Sequence, residues 1–426
     1  MKLTNKGKEE TDMVDHFFSS PNALQRLHVG PLGEHIDNFA GLLFAQGYAR
    51  QTARLKIGLV AGLSRWLEIK RLKISGLDEE VISKYLEFRA KHYAPNRFEN
   101  STFQALLRYF REANVIPHPK PFVEDNVLDR IESAYGRYLS QERGLTQTTL
   151  ENYLPIVRRF LSINFRNSNI IPEKLTSQDI TQFIIHHAHI YSPGRAKLMV
   201  TALRSFFHFL YQRGQIATDL SKCVPAVANW GLSELPKFLK PEEVECLLQS
   251  CDQSISIGQR DYAVLLLLAR LGLRAGEVVH MVIEDIDWDK GELIVRGKSP
   301  RQDRLPLPQD VGEALATYLV HVRPKCSSRR VFIRMRAPYQ GFSSSSAIRD
   351  IVRRAFRRLG LHRKNMGAHL LRHSLATRML HHGASLNEIG EILRHKLPQT
   401  TEIYAKVNIV ALRALAKPWP GGVDYE

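Results

Sequence analysis

Apolar residues recur every three or four positions over most of the chain. Ile36, Phe39, Leu42 and Leu43, then Leu55, Leu59, Leu63, Trp66 and Leu67, fall at helical spacing and predict helices across 33–113. Three prolines in P-H-P-K-P (117–121) interrupt the pattern and predict a linker. A second helical block follows over about 126–222, and Pro225, Pro236 and Pro241 mark another break. K-P-E-E-V-E-C-L-L then opens a region of mixed pattern. A helix over 261–273 leads there into D-I-D-W-D-K-G-E-L-I-V-R, whose alternation predicts two short strands around an Asp-Lys-Gly turn. R-Q-D-R-L-P-L-P reads as a turn into a further strand. Helices are predicted over about 309–322, 344–359, 367–382 and 386–394, with a last one near 399–406. The fold class expected is mainly α with a small antiparallel β-sheet in the C-terminal domain. The expected divisions are a loose tail (1–30), a helical module (31–118), a second helical module (124–222), a linker (223–236) and a C-terminal domain (237–426).

The two helical blocks echo one another. E-H-I-D-N-F-A-G-L-L-F-A-Q-G-Y-A-R-Q-T (34–52) compares with D-R-I-E-S-A-Y-G-R-Y-L-S-Q-E-R-G-L-T-Q-T (129–148). Each is an amphipathic helix ending at Gly47 or Gly144, followed by a polar turn whose Thr is suited to cap the next helix. L-D-E-E-V-I-S-K-Y-L (77–86) likewise matches L-T-S-Q-D-I-T-Q-F-I (175–184). Three similar features in the same order favour two copies of one small module.

Composition narrows the partner. Against 43 Asp and Glu the chain carries 60 Lys and Arg, a formal charge of +17 spread along its whole length. Such a balance suits a long anionic surface, nucleic acid ahead of lipid. The longest apolar run, 263–269, is far too short to span a bilayer. M-K-L-T-N-K-G-K-E-E lacks the apolar core of a signal peptide. Cysteines 223, 246, 251 and 326 form no C-x-x-C pair, so neither a zinc knuckle nor a disulfide framework is expected, and a reducing cytoplasm fits.

Gly297-Lys298-Ser299 imitates the end of a nucleotide-binding P-loop. That loop needs four residues between its glycines, a strand before it and a helix after it. Here five residues separate Gly291 from Gly297, Pro300 follows, and the next element reads as a strand. No helix N-terminus is offered to a nucleotide phosphate. Other phosphate-directed residues surround it in the sequence. R-L-G-L-R-A-G-E places Arg274 at a helix junction with Glu277 one turn on. H-L-L-R-H sets His369 and Arg372 on one helical face, and His395 precedes Tyr404 by nine residues.

R-x-x-E, a lysine on a β-turn, H-x-x-R, and a His followed nine residues later by Tyr together resemble the tyrosine recombinase (phage integrase) family. The spacings agree too: 24 residues from Arg274 to Lys298 and 23 from Arg372 to His395. The motif resemblance covers about 237–410, and the second helical module resembles the SAM-like core-binding module that precedes the catalytic domain in such enzymes. The resemblance implies a site-specific DNA recombinase or integrase that cuts and rejoins DNA through a 3′-phosphotyrosyl intermediate, without cofactor or metal. Tyr404 would be the nucleophile, and Arg274 and Arg372 would grip the non-bridging phosphate oxygens bidentately. Lys298 would protonate the leaving oxygen, His369 would act as acid/base near the tyrosine, and His395 would donate a hydrogen bond to the phosphate. Glu277 would orient the arginine. A free tyrosine ionises near ~10, so a cationic pocket is required to favour the phenolate.

Two positions depart from the family pattern. Ser299-Pro300-Arg301 follows the lysine where a Gly and a basic residue are common, and Arg394 stands before His395 where Gly is usual. His369 and His373 form an H-x-x-x-H pair, but Leu370 replaces the glutamate of H-E-x-x-H, which argues against zinc. Arg158, Arg159, Arg195 and Lys197 in the second module, with Arg301, Arg304 and Arg394 in the C-terminal domain, are candidate DNA-backbone contacts. Arg353, Arg354, Arg357 and Arg358 join them. The family's chemistry implies a clamp around double-stranded DNA and a homotetramer in the synaptic complex, with 408–416 available to dock on the next subunit. Integration or excision of a mobile element, or its transposition, are the expected roles. A type IB topoisomerase-like activity and a DNA-binding accessory protein with an inactive site remain the alternatives.

Overall fold

The computed structural model describes residues 13–118, 126–165, 171–227, 236–297, 302–361, 367–395 and 397–407. It divides into two compact units, Met1–His118 with Leu235–Glu426, and Pro119–Glu234.

In the first unit the N-terminal module is helical: α1 (Met13–Phe17), α2 (Pro21–Leu27), α3 (Ile36–Ala45), α4 (Arg50–Ile69), α5 (Glu79–His92) and α6 (Glu99–Glu112). Residues 13–27, expected in a loose tail, are therefore ordered as two short helices. Val14, Phe17 and Leu27 enter the module core, and α1 lies against α3 and α4. Helices of five and seven residues are too short to display a hydrophobic period. Ile36, Phe39, Leu43, Leu59, Leu63, Trp66 and Leu67 are buried as the spacing requires, but Leu55 is 45% exposed and Ile57 takes its place inside. The Asp78 carboxylate accepts the Val81 N–H at 2.9 Å and starts α5.

The second unit contains α7 (Val127–Arg137), which runs into a π-helical turn (Tyr138–Glu142), then α8 (Gln147–Asn164), α9 (Ser177–Ala188) and α10 (Pro193–Gln212). Thr176, the counterpart of Asp78 in the first module, caps α9 reciprocally with Asp179. Gly47 and Gly144 both adopt the left-handed conformation, as the matched helix ends require. Thr146 occupies the N-cap position of α8, but its hydroxyl meets Thr149 rather than a backbone N–H. Val224 packs into this core, so the break expected from 223 begins later.

The C-terminal region contributes α11 (Pro241–Gln249), α12 (Ser256–Arg270), α13 (Ala275–His280), β1 (Ile286–Asp287), β2 (Glu292–Arg296), β3 (Gln302–Pro306), α14 (Gln309–Thr317), α15 (Ser346–Arg358), α16 (Ala368–His381) and α17 (Leu386–Ile392). The strands form one antiparallel sheet in the order β1-β2-β3, with Ile294 opposite Arg304 and Arg296 opposite Gln302. The apolar run 263–269 is buried throughout because α12 is the central helix, packed between α11, α14 and α16. The last helix expected near 399–406 is instead two 3-10 segments, Pro398–Thr400 and Glu402–Val407. Pro398 and i→i+3 bonds from Thr401 and Tyr404 tighten the chain there. The Tyr339 N–H donates to the Gln46 carbonyl at 3.0 Å, a link between the first module and this region. No described helix is long and apolar enough to cross a membrane.

Candidate active site

Four segments of the C-terminal region converge on Arg372. The first is the junction between α12 and α13. Gly272 holds φ +58°, where a Cβ would sit 2.8 Å from Leu393 Cδ2, so the turn requires glycine. Its carbonyl accepts a hydrogen bond from Arg372 Nη1. Arg274 follows as the N-cap residue of α13, and Glu277 sits at the third helical position. The Glu277 carboxylate accepts the Arg274 backbone N–H at 2.8 Å and Arg274 Nη1 at 2.8 Å. One residue thus closes the helix start and orients the guanidinium.

The second segment is α16, which places His369, Arg372 and His373 at i, i+3 and i+4. The third is the end of α17. There Arg372 Nη2 donates to the Leu393 carbonyl, and Arg274 Nη2 donates to the Arg394 carbonyl at 3.1 Å. Both arginines are therefore anchored to the same turn. Arg394 has φ +55°, a conformation that favours glycine. Its side chain turns inward, and Nη2 meets Glu277 Oε2 at 2.9 Å with both side chains 6% exposed. The fourth segment, Glu402–Val407, delivers Tyr404, which is 1% exposed. Its hydroxyl lies 2.8 Å from His373 Nδ1, and its ring stacks at 6° on His395, centroids 6.5 Å apart. His395 Nδ1 is 2.7 Å from the Thr401 hydroxyl.

Burial and crowded positive charge set the electrostatics. Burial, then repulsion from Arg274 and Arg394, lowers the Arg372 guanidinium to about 9, with Glu277 and Tyr404 opposing. It still holds its proton at neutral pH. Burial alone would raise the Glu277 carboxyl, but Arg394 and the Arg274 donors outweigh it and hold it below the ordinary range. Burial pushes the Tyr404 phenol up to about 12, against the pull of Arg372. His395 falls to about 4 through burial and the neighbouring arginines. His369 and His373 are lowered as well, chiefly by desolvation, so both imidazoles are neutral near pH 7. The phenol therefore keeps its proton until something accepts it.

Of the expected residues, Arg274, Glu277, Arg372, His395 and Tyr404 come together. His369 shares their helix, its ring 6.4 Å from that of His373. The hydroxyl partner of Tyr404 is His373, not His369. The H-x-x-R-H spelling contained the only signal for this, since positions i and i+4 share a helical face. Lys298, Arg301 and the 408–416 segment lie outside the described residues. Among the candidate DNA contacts, Arg394 is buried against Glu277 instead of facing outward. Arg158 is tied to Asp129 and Glu132, both at 2.5 Å, and Arg304 to Glu292 at 2.8 Å. Arg159 donates to the Tyr191 hydroxyl at 3.2 Å, Arg195 lies over the Tyr191 ring, and Lys197 is exposed. Arg353 pairs with Asp350, Arg354 with Asp261, and Arg358 donates to Cys251 Sγ.

Residues 237–409 match the phage integrase family, and 133–214 match the phage integrase N-terminal SAM-like domain. The integrase/recombinase y4rA of Sinorhizobium fredii is 43% identical over 414 residues, covering 96% of this chain and 99% of its own length. The chain belongs to the tyrosine recombinase (phage integrase) family. Tyrosine recombinase XerD of Listeria innocua is 30% identical over 66% of this recombinase and 95% of its own chain. Among solved structures, the XerH site-specific recombinase bound to palindromic difH substrate superposes with a TM-score of 0.54 at 19% identity. It covers 78% of this recombinase and 93% of XerH. A lambda integrase dimer bound to a COC′ core site gives 0.51 at 20%, over 70% and 99%. These last two show the shared fold, SAM-like module and catalytic domain. Site-specific DNA recombination is accordingly the activity of this enzyme.

Proposed function

We propose that the recombinase cleaves DNA by attack of the Tyr404 hydroxyl on a backbone phosphate, forming a 3′-phosphotyrosyl ester and releasing a 5′-hydroxyl. Rejoining is the reverse attack by a 5′-hydroxyl from a partner strand. The observation that carries this reading is the 2.8 Å contact between Tyr404 and His373, beside two arginines anchored to one turn. As the tyrosine oxygen bonds to phosphorus, His373 takes the phenol proton. Arg274 and Arg372 bind the non-bridging oxygens, which carry the added negative charge of the phosphorane-like state. An anion arriving there also relieves the repulsion between the guanidiniums. His395 donates to the phosphate, and Lys298, assigned from the sequence match alone, protonates the departing 5′-oxygen. His369 borders the site rather than the tyrosine.

The substrate is double-stranded DNA carrying a specific site, bound in part through exposed basic residues such as Lys197. Exchange between two duplexes calls for four protomers in the synaptic complex. Integration, excision or transposition of a mobile element, in the cytoplasm, are the roles this chemistry serves.

The test is a nicked suicide substrate carrying the cognate site, incubated with the full-length protein in chelator. A covalent protein–DNA adduct is expected, abolished in Tyr404→Phe. Adduct that persists in Tyr404→Phe refutes the nucleophile. Binding without adduct in the wild type favours an accessory DNA-binding protein, and relaxation of one duplex without exchange favours a topoisomerase.

A further inference from the structure

We infer that Arg394 is a positioning residue of the active site: its buried guanidinium neutralises Glu277 so that Arg274 presents its full charge to the phosphate. The inference rests on the assignment of Arg274 as a phosphate ligand in the proposed mechanism. It starts from a residue that looks misplaced. A non-glycine side chain at φ +55° costs backbone energy, and a charged side chain at 6% exposure costs desolvation. Both costs fall on one residue, whose guanidinium is directed at one carboxylate.

The geometry says what that contact does. Glu277 Oε2 accepts both the Arg274 backbone N–H and Arg394 Nη2, while Oε1 accepts Arg274 Nη1. With Arg394 absent, Glu277 would be a complete counter-ion for Arg274 alone, and Arg274 would meet a phosphate as half of a neutral pair. With Arg394 present, one carboxylate is shared between two guanidiniums and the group retains a net positive charge. The Asp303 carboxylate on β3 also acts on Arg394 and helps keep it charged despite burial. The same pairing shapes the turn: the carbonyl of Arg394 receives Arg274 Nη2, and the adjacent carbonyl of Leu393 receives Arg372 Nη2. Holding Arg394 against Glu277 therefore holds the acceptors that aim both arginines. Arg394 makes no side-chain hydrogen bond to Tyr404 or His395; beyond its repulsion of Arg372 and His395, its positioning effect passes through Glu277 and Arg274.

The test compares full-length wild type with Arg394→Met, which keeps length and apolar volume, and Arg394→Lys, which keeps charge. The first readout is affinity for inorganic phosphate, followed by calorimetry and by thermal upshift in the absence of DNA. The second is the single-turnover rate of adduct formation on saturating suicide substrate. Arg394→Met is expected to weaken phosphate binding at least about fivefold and to slow adduct formation about tenfold or more, a fraction of what losing a direct charge donor causes. Arg394→Lys should recover most of both. A prop acting through shape alone would be satisfied by Met, so phosphate affinity and cleavage equal to wild type in Arg394→Met overturn the inference. Equal defects in Met and Lys overturn it as well. Should the wild type form no adduct on cognate DNA, the proposed cleavage chemistry falls, while the phosphate contrast still decides the role of Arg394.

Discussion

Glu277→Gln isolates the charge at the centre of the site while preserving its shape. The carboxylate accepts three hydrogen bonds, two at 2.8 Å from Arg274 and one at 2.9 Å from Arg394. The amide retains one good acceptor and turns an NH2 toward a guanidinium. Arg274 is 39% exposed, and water compensates much of its loss. Arg394 is 6% exposed, and without Glu277 it keeps only partial compensation from the Ile392 carbonyl and the Asp303 carboxylate. Removing one partner of a buried ion pair costs about 3–5 kcal/mol, because the other charge is left uncompensated. For a unit of about 310 residues each kcal/mol lowers Tm by roughly 1.5 °C, so a fall of about 5–8 °C is expected at pH 7. Differential scanning calorimetry of the full-length protein measures it. The pH dependence supplies an independent check. The folded-state carboxyl is held below its ordinary value, so its contribution is complete above about 4.3 and is lost as pH falls through the depressed value. The gap between wild type and Glu277→Gln should therefore close in acid. Histidines with lowered pKa values also destabilise both proteins in acid, but they cancel in the difference. A Tm within 2 °C of wild type at pH 7, or a gap constant down to pH 3, would refute the reasoning.

His373→Gln should slow adduct formation by about 10²–10⁴, the usual contribution of a general base, with DNA affinity unchanged. Wild-type cleavage should decline in acid below the ordinary histidine range as the lowered His373 takes up a proton, and the variant should lack that limb; His395, titrating about 4, lies further down. Unaltered cleavage by His373→Gln would return the proton to His369. Lys197→Ala should reduce the slope of log affinity against log salt by about one, as expected for one phosphate contact. Arg158→Ala should leave that slope in place, since its guanidinium already serves Asp129 and Glu132; fluorescence anisotropy across a salt series decides both.

Legibility followed the range of the interaction. Helices of about ten residues or more repeat their apolar face, so α3 and α4 were evident from spacing, whereas α12 showed only as an unbroken apolar run and begins at Ser256, five residues before its expected start. The α5 and α9 caps were evident too, because a side chain reaching an N–H three residues on is a local event. The short α1 and α2 offer no such repetition, and their burial depends on α3 and α4 being in place. Leu55 and Ile57 stand two residues apart on the same helix, and only the packing against neighbouring helices decided which one is inside.

The site divides along the same line. A family resemblance in residue types, order and spacing made Arg274, Glu277, Arg372, His395 and Tyr404 candidates, and the fold brings them together. What spacing does not encode is aim. His369 and His373 share one face of α16, and which of them meets a hydroxyl 31 residues later depends on how Glu402–Val407 folds back. An arginine preceding a histidine is equally suited to DNA outside or a carboxylate inside. A left-handed residue at the end of α17 and a glutamate 117 residues earlier turned Arg394 inward. The chemistry resided in the sequence; the direction of each charge was decided by contacts between segments far apart along it.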